Sequence, residues 1–376
     1  MLKKDAEDVY RKLRKHLDEF PIGFPSTESG VEMRLLKYFF TPEEAELAMH
    51  LTILPQTLEQ IHKSLEKTGV PIDKLEHTLA QMARKGSIYF VKGKGNNYYL
   101  NAQLAIGMYE HQVNKLTKEF LEDMHQYFDE SFGKELTRPG SSQMRIIPVD
   151  KSVTPEYKVE TFENLKQIIE DFNGPISVAN CICRQGNDLL GQPCKQTHLR
   201  ESCLQFGSAA RMYVEEKRGR FITKDETLEI LRKAQEDGLV LEMMNTLKPA
   251  AICTCCGDCC GYLANVKKLA RPAEFLPSNY YAKVDAESCS ACETCVNVCP
   301  MGARTVRDNV SEVDLGRCIG CGVCVPVCTA GATKLVKKEK ITSPPADSTA
   351  MYMQILKNKT QMKRTEKKSI QLHAPT

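Results

Sequence analysis

Two segments near the carboxyl end read Cys289-Ser-Ala-Cys292-Glu-Thr-Cys295-Val-Asn-Val-Cys299-Pro300 and Cys318-Ile-Gly-Cys321-Gly-Val-Cys324-Val-Pro-Val-Cys328-Thr329. The second copy begins 29 positions after the first, and both have the spacing C-x2-C-x2-C-x3-C. The two short gaps place three sulfurs on a tight loop around one [4Fe–4S] cluster. The longer gap begins a helical turn that carries the fourth sulfur toward a neighbouring cluster. The repeat therefore predicts a pair of iron–sulfur clusters.

Each copy thus supplies three cysteines to one cluster and its fourth to the other, an arrangement here called crosswise sharing. It assigns every cysteine of the repeat to one cluster. We expect one cluster to be bound by Cys289, Cys292, Cys295 and Cys328. We expect the other to be bound by Cys318, Cys321, Cys324 and Cys299. Apolar neighbours such as Val296 and Ile319 are expected to keep water away from the sulfurs, which favours low reduction potentials.

Nine further cysteines precede the repeat, since the chain has 17 and the repeat contains eight. They are Cys181, Cys183, Cys194, Cys203, Cys253, Cys255, Cys256, Cys259 and Cys260. Thiolates at this density select iron–sulfur clusters, zinc or copper(I). We favour a third iron–sulfur cluster. The alternatives are a structural zinc site with Cys256-x2-Cys259 as its knuckle, or a redox-active dithiol or disulfide pair within the range Cys255 to Cys260. We expect His198 to be an exposed helix residue rather than a ligand.

Residues 41–100 predict three helices followed by a β-hairpin. Thr41-Pro-Glu-Glu is a capping box, after which apolar residues recur at helical spacing as far as Leu54. Two further helices are predicted over 57–67 and 71–86, and two strands over 87–91 and 97–100. This order predicts a winged helix. The same residues contain seven Lys/Arg and seven Asp/Glu, whereas a DNA-binding domain presents a basic face. We therefore expect a protein-docking or structural role and no DNA binding.

The carboxyl-terminal segment resembles the bacterial-type two-cluster ferredoxin domain at all eight ligand positions. It departs from that family at Thr329, where a second proline like Pro300 is usual, but proline is not a ligand. The order of winged helix, Cys-x-Cys-Arg segment, Cys-Cys-Gly segment and ferredoxin also resembles uncharacterised winged-helix/4Fe-4S proteins of anaerobic bacteria and archaea. The resemblance implies an electron-transfer subunit with two [4Fe–4S] clusters that works with a redox partner protein.

The predicted fold class is α+β, in four parts. These are a helical winged-helix domain (1–132), a cysteine-rich α/β domain (133–276), a two-cluster ferredoxin domain (277–336) and a basic, partly helical tail (337–376). Thr223 opens a further helix with a capping box, and single helices are expected over 107–128 and 162–172. The tail is expected to carry an exposed helix from Ala350 onward.

Composition and motifs narrow the functional classes. The charged amino terminus and the lack of an 18-residue apolar run predict a cytoplasmic protein with no transmembrane segment. The net charge of +3 gives no whole-chain attraction to nucleic acid. The chain has no Walker A or His-Glu-x-x-His motif, so an electron carrier is favoured over a stand-alone enzyme. The alternatives are an iron–sulfur redox-sensing transcription regulator, and a reductase whose substrate binds an incompletely ligated iron.

Overall fold

The computed structural model describes residues 2–93, 95–149, 152 and 163–372. The chain forms two compact units. The first comprises the residues up to Ser141 and those from Tyr352 onward, and the second comprises Ser142–Met351. Both units contain helices and strands, so the fold is α+β. The finer division into four parts stays a prediction. Within the described ranges, none of the helices has the length and apolar content needed to cross a bilayer.

The first unit is mainly helical. Its helices before Ser141 are α1 (Leu2–Asp18), α2 (Val31–Phe39), α3 (Pro42–Ala48), α4 (Leu58–Ser64), α5 (Ile72–Lys85), α6 (Lys118–Tyr127) and α7 (Gly133–Leu136). Its strands are β1 (Gln56–Thr57), β2 (Ile88–Lys92) and β3 (Asn97–Asn101). They form an antiparallel sheet in the order β1-β3-β2. The three helices and the hairpin predicted within residues 41–100 are present.

Three helices of this unit are shorter than predicted. The helix predicted over 57–67 is α4, which ends at Ser64. The helix capped by Thr41 ends at Ala48, because the following N–H groups of Met49 and His50 bond to carbonyls three residues back. The single helix predicted over 107–128 begins only at Lys118. Asn114 has a φ of 67°, which a helix does not accommodate, and Thr117 then caps α6 by accepting a hydrogen bond from the N–H of Phe120 at 3.2 Å.

The second unit contains two small two-stranded sheets and one large sheet. Its strands are β4 (Met144–Ile147), β5 (Ile176–Asn180), β6 (Glu201–Phe206), β7 (Gly219–Ile222), β8 (Val240–Met244), β9 (Ala251–Cys255), β10 (Tyr280–Val284), β11 (Arg304–Arg307), β12 (Val310–Val313) and β13 (Thr333–Lys337). Its helices are α8 (Leu165–Asp171), α9 (Ile182–Leu189), α10 (Ser208–Glu215), α11 (Lys224–Glu236), α12 (Gly261–Lys267), α13 (Pro272–Phe275) and α14 (Thr294–Asn297). Asn164 caps α8, and the predicted start of that helix at Phe162 lies outside the described residues.

The large sheet has the strand order β4-β8-β9-β6-β5-β7. Every neighbouring pair in it is antiparallel. The prediction of an α/β middle domain is therefore wrong, because that class requires parallel strands joined by crossover helices. Alternation of helices and strands along the sequence did not reveal strand direction.

The large sheet and the cysteine repeat (residues 289–328) share one hydrophobic core. Buried Val178 and Leu241 of the sheet belong to the same apolar cluster as Met301, Ile319 and Val323 of the repeat. The backbone N–H of Val149 also donates to the carbonyl of Cys321 at 3.1 Å. The sheet therefore supports one loop of the repeat directly. In the two-stranded sheets, β10 pairs with β13 and β11 with β12, both antiparallel.

The last helix, α15 (Ser348–Leu372), was expected to be exposed. Ile355 and Lys359 lie four positions apart on one face and are 3% and 5% exposed, so the prediction is wrong for this face. The ammonium of Lys359 donates to the carbonyls of Asp18 and Phe20 at 2.8 and 2.9 Å and pairs with the Glu135 carboxylate at 2.9 Å. These bonds hold α15 within the first unit.

Candidate metal centres

Four cysteines line a cavity of about 330 Å³ at the first loop of the repeat. They are Cys289, Cys292, Cys295 and Cys328. Three come from the first copy of the motif, and the fourth comes from the end of the second copy. The structure therefore brings together the four residues of the first predicted ligand set.

A second cavity of about 350 Å³ lies at the other loop. It is lined by Cys318, Cys321, Cys324 and Cys299. Here the fourth cysteine comes from the first copy, so the exchange between the copies is reciprocal. That these eight thiolates bind two clusters stays a prediction.

The two cysteine loops have matching backbone conformations. Ala291 and Glu293 flank the second cysteine of the first loop with φ of 54° and 60°. Gly320 and Gly322 occupy the same places in the second loop with φ of 69° and 80°. This left-handed conformation folds each loop tightly enough to point three sulfurs inward. At Gly320 a Cβ would collide with the Tyr280 carbonyl oxygen, so that place requires glycine.

Backbone N–H groups point at several of these sulfurs. Ala303 donates to Cys299 at 3.3 Å, Ser311 to Cys289 at 3.4 Å, and Ala282 to Cys318 at 3.4 Å. Such bonds stabilise thiolates and, with them, the added negative charge of a reduced cluster.

Arg304 is a functional candidate that the sequence did not reveal. It is 3% exposed, and one of its nitrogens donates to the Thr333 hydroxyl at 2.9 Å. Its Nε and Nη1 are buried and make no hydrogen bond to any described residue. Burial lowers the pKa of Arg304, but Cys295, Cys324 and Cys299 raise it by more, so the net pKa lies above its ordinary value. A buried cation with unused donors fits sites that hold anionic, hydrogen-bond-accepting groups.

Residues 281–329 match the family of 4Fe-4S dicluster domains. This range, hereafter the dicluster segment, includes all eight cysteines of the repeat. The match, the two cavities and the buried donors of Arg304 together support iron–sulfur binding. No curated protein and no solved structure matches the chain.

The two cavities of the dicluster segment differ in exposure. Cys292 of the first cavity is exposed to solvent, whereas Cys321 and Cys324 of the second are buried. Burial raises the pKa of Cys324 to about 12, and the Thr294 hydroxyl lowers the pKa of Cys292. The first cavity is therefore the more exposed of the two.

Six cysteines of the middle region form a continuous chain of side-chain contacts, here called the six-thiol network. Each contacts the next in the order Cys181, Cys183, Cys260, Cys255, Cys253 and Cys203. Strand alternation places Cys253 and Cys255 on one face of β9. Cys181 and Cys260 immediately precede α9 and α12, which brings both chain segments to that face.

Charged side chains lie among these thiols. Glu242 is 1% exposed and accepts a hydrogen bond from the Cys255 thiol at 3.1 Å, and burial raises its pKa to about 8. Arg184 is fully buried and donates to the Ser202 hydroxyl at 2.8 Å and to the Thr254 carbonyl. Burial alone would lower the pKa of Arg184. Cys181 and other nearby thiols raise it by more, so the net pKa lies above the ordinary value of arginine. A lone acid among the apolar residues of β8 was the available signal for Glu242.

The remaining three cysteines form a separate group. The sulfurs of Cys194, Cys256 and Cys259 and a carboxylate oxygen of Asp258 all lie within 4.8 Å of one another. Asp258 was not predicted from the sequence, although it stands between two cysteine pairs. His198 is exposed as expected, but it lies in a loop rather than a helix.

Proposed function

We propose that this chain is an electron-transfer protein that holds two [4Fe–4S] clusters in the dicluster segment. The observation that carries the proposal is the reciprocal lining of the two cavities, each by three cysteines of one loop and one of the other. When bound, such clusters store and release single electrons. The chain's own contribution is to hold the irons through thiolates, to donate N–H groups to the sulfurs, and to exclude water from the second cavity.

We further propose that the six-thiol network binds a third iron–sulfur centre that exchanges electrons with the second cavity. The turn between Cys256 and Cys260 reaches the dicluster segment, since a Cβ placed on Gly257 would lie 3.3 Å from that of Pro300. Pro300 itself lines the second cavity. The route would then run from the exposed Cys292 through the second cavity to the six-thiol network.

The redox partner is proposed to contact the edge of the first cavity. Exposed residues there include Asp285, Glu287 and Glu293, so a partner with basic side chains fits this edge. The three helices and the sheet of the first unit are interpreted as a winged helix with a protein-docking role. Cysteines at metal-ligand spacing are typical of intracellular proteins, so we also propose a cytoplasmic location and an anaerobic organism.

The test is metal and sulfide analysis of the full-length chain purified without oxygen. Two clusters require about eight irons per chain, and a third four-iron centre raises the total to about twelve. Replacing Cys181 and Cys183 together by serine is expected to remove only the third centre. Protein that stays colourless and iron-free after reconstitution would overturn the proposal. Specific, strongly salt-dependent retention on DNA would instead favour the redox-sensing regulator.

A further inference from the structure

We propose that Cys194, Cys256, Cys259 and Asp258 form a mononuclear zinc site, separate from the iron–sulfur sites. This site is independent of the electron-transfer proposal. It joins the loop after α9 to the turn between β9 and α12, two segments that are far apart in the sequence.

The spacing of the ligand atoms suits one metal ion. All four atoms lie within 4.8 Å of one another. A tetrahedral zinc ion with bonds of about 2.3 Å has sulfurs about 3.8 Å apart, so a small contraction completes the site. Four ligands of this kind, three thiolates and one carboxylate, suit zinc.

Backbone contacts already orient the carboxylate. Oδ2 of Asp258 accepts a hydrogen bond from the N–H of Lys195 at 2.8 Å, while Oδ1 lies 3.5 Å from the sulfur of Cys194. One oxygen is thus fixed by the loop, and the other faces the thiols. The N–H of Gly257 also donates to the Gln196 side chain at 3.2 Å, which binds the turn to the same loop. Outer contacts of this kind are typical of metal ligands held in place before the ion binds.

The position of the turn gives the ion a structural consequence. The same turn carries Cys260 of the six-thiol network, and its Gly257 packs against Pro300. Three thiolates and one carboxylate give a divalent ion a net charge of −2, and the guanidinium of Arg184 lies near Cys256 to offset part of it. Zinc has no redox chemistry, so it would fix this turn without taking part in electron transfer.

The experiment measures zinc and iron in the full-length chain, with Cys194→Ser, Cys259→Ser and Asp258→Asn as variants. Asp225→Asn is the matched control, because Asp225 is exposed and belongs to none of the proposed metal sites. We expect about one zinc per chain in the wild type and in Asp225→Asn. We expect the two cysteine variants to lose zinc, and Asp258→Asn to bind it at least about tenfold more weakly in chelator competition. The iron of the dicluster segment is expected to stay unchanged in all four variants.

Cobalt substitution gives a second readout that does not depend on yield. Co²⁺ at this site should produce visible bands of a tetrahedral ion and thiolate charge-transfer absorption, and Cys259→Ser should weaken the latter by roughly one third. Less than about 0.1 zinc per chain, or a loss of iron instead of zinc in Cys259→Ser, would overturn the site. A chain that retains zinc but binds no iron would overturn only the electron-transfer proposal.

Discussion

Ala291 and Gly320 occupy equivalent places in the two cysteine loops and share a left-handed backbone, with φ of 54° and 69°. They differ in what lies beside them, because only Gly320 is pressed against the Tyr280 carbonyl. Gly320→Ala should therefore destabilise the second unit by about 2 kcal/mol or more and reduce its iron content. Ala291→Gly should change stability by less than about 1 kcal/mol, since glycine adopts positive φ without strain. Thermal unfolding and iron analysis measure both effects, and equal losses in the two variants would contradict the prediction.

The crosswise sharing predicts which cysteine variants should resemble each other. Cys328→Ser should alter the same cluster signal as Cys289→Ser, although the two residues belong to different copies of the motif. Cys299→Ser should likewise match Cys318→Ser. Electron paramagnetic resonance of the dithionite-reduced proteins is the measurement. If Cys328→Ser instead matches Cys318→Ser, each copy binds its own cluster and the exchange is wrong.

The buried guanidinium of Arg304 is expected to raise the reduction potential of both clusters. A cation stabilises the more negative, reduced state, so Arg304→Met should lower the potentials. The expected shift is on the order of 50–100 mV, which corresponds to a unit charge about 10 Å away at an effective dielectric constant of about 20. Arg307→Met is the control, because that side chain is 72% exposed on the same strand. Redox titration followed by spectroscopy compares the two, and unchanged potentials in Arg304→Met would refute the role.

Lys359 should be a main contributor to the attachment of α15. Lys359→Met leaves the half-buried Glu135 carboxylate and two carbonyls without their donor, so we expect a loss of about 3 kcal/mol. Lys357→Met removes an exposed lysine from the same helix and should cost less than about 0.5 kcal/mol. Chemical denaturation of both variants checks the difference, and similar midpoints would contradict the buried contact.

Local signals predicted local structure well. The capping boxes predicted at Thr41 and Thr223 lie where α3 and α11 begin. The cysteine spacing also anticipated which sulfurs line each cavity of the dicluster segment, because the repeat carries its own loop geometry.

Long-range pairing could not be predicted in the same way. In the sequence the middle cysteines lie in two runs, 181–203 and 253–260, but the structure mixes these runs: Cys194 lies with Cys256 and Cys259, and Cys183 lies with Cys260. That outcome depends on which strands are neighbours in the antiparallel sheet, and spacing within one segment does not contain this information. The sequence did not single out Arg304 as a functional candidate either, because its role depends on two loops that fold around it.

The core that joins Met301, Ile319 and Val323 to the large sheet has a consequence for protein engineering. Excising the last hundred residues as a free-standing redox module would leave these apolar side chains in water, so such a fragment should aggregate. The same attachment restrains the second cavity when an electron arrives. Rigid surroundings keep the reorganisation energy of electron transfer small. A dicluster segment transplanted into another protein would therefore need the large sheet as well to preserve that property.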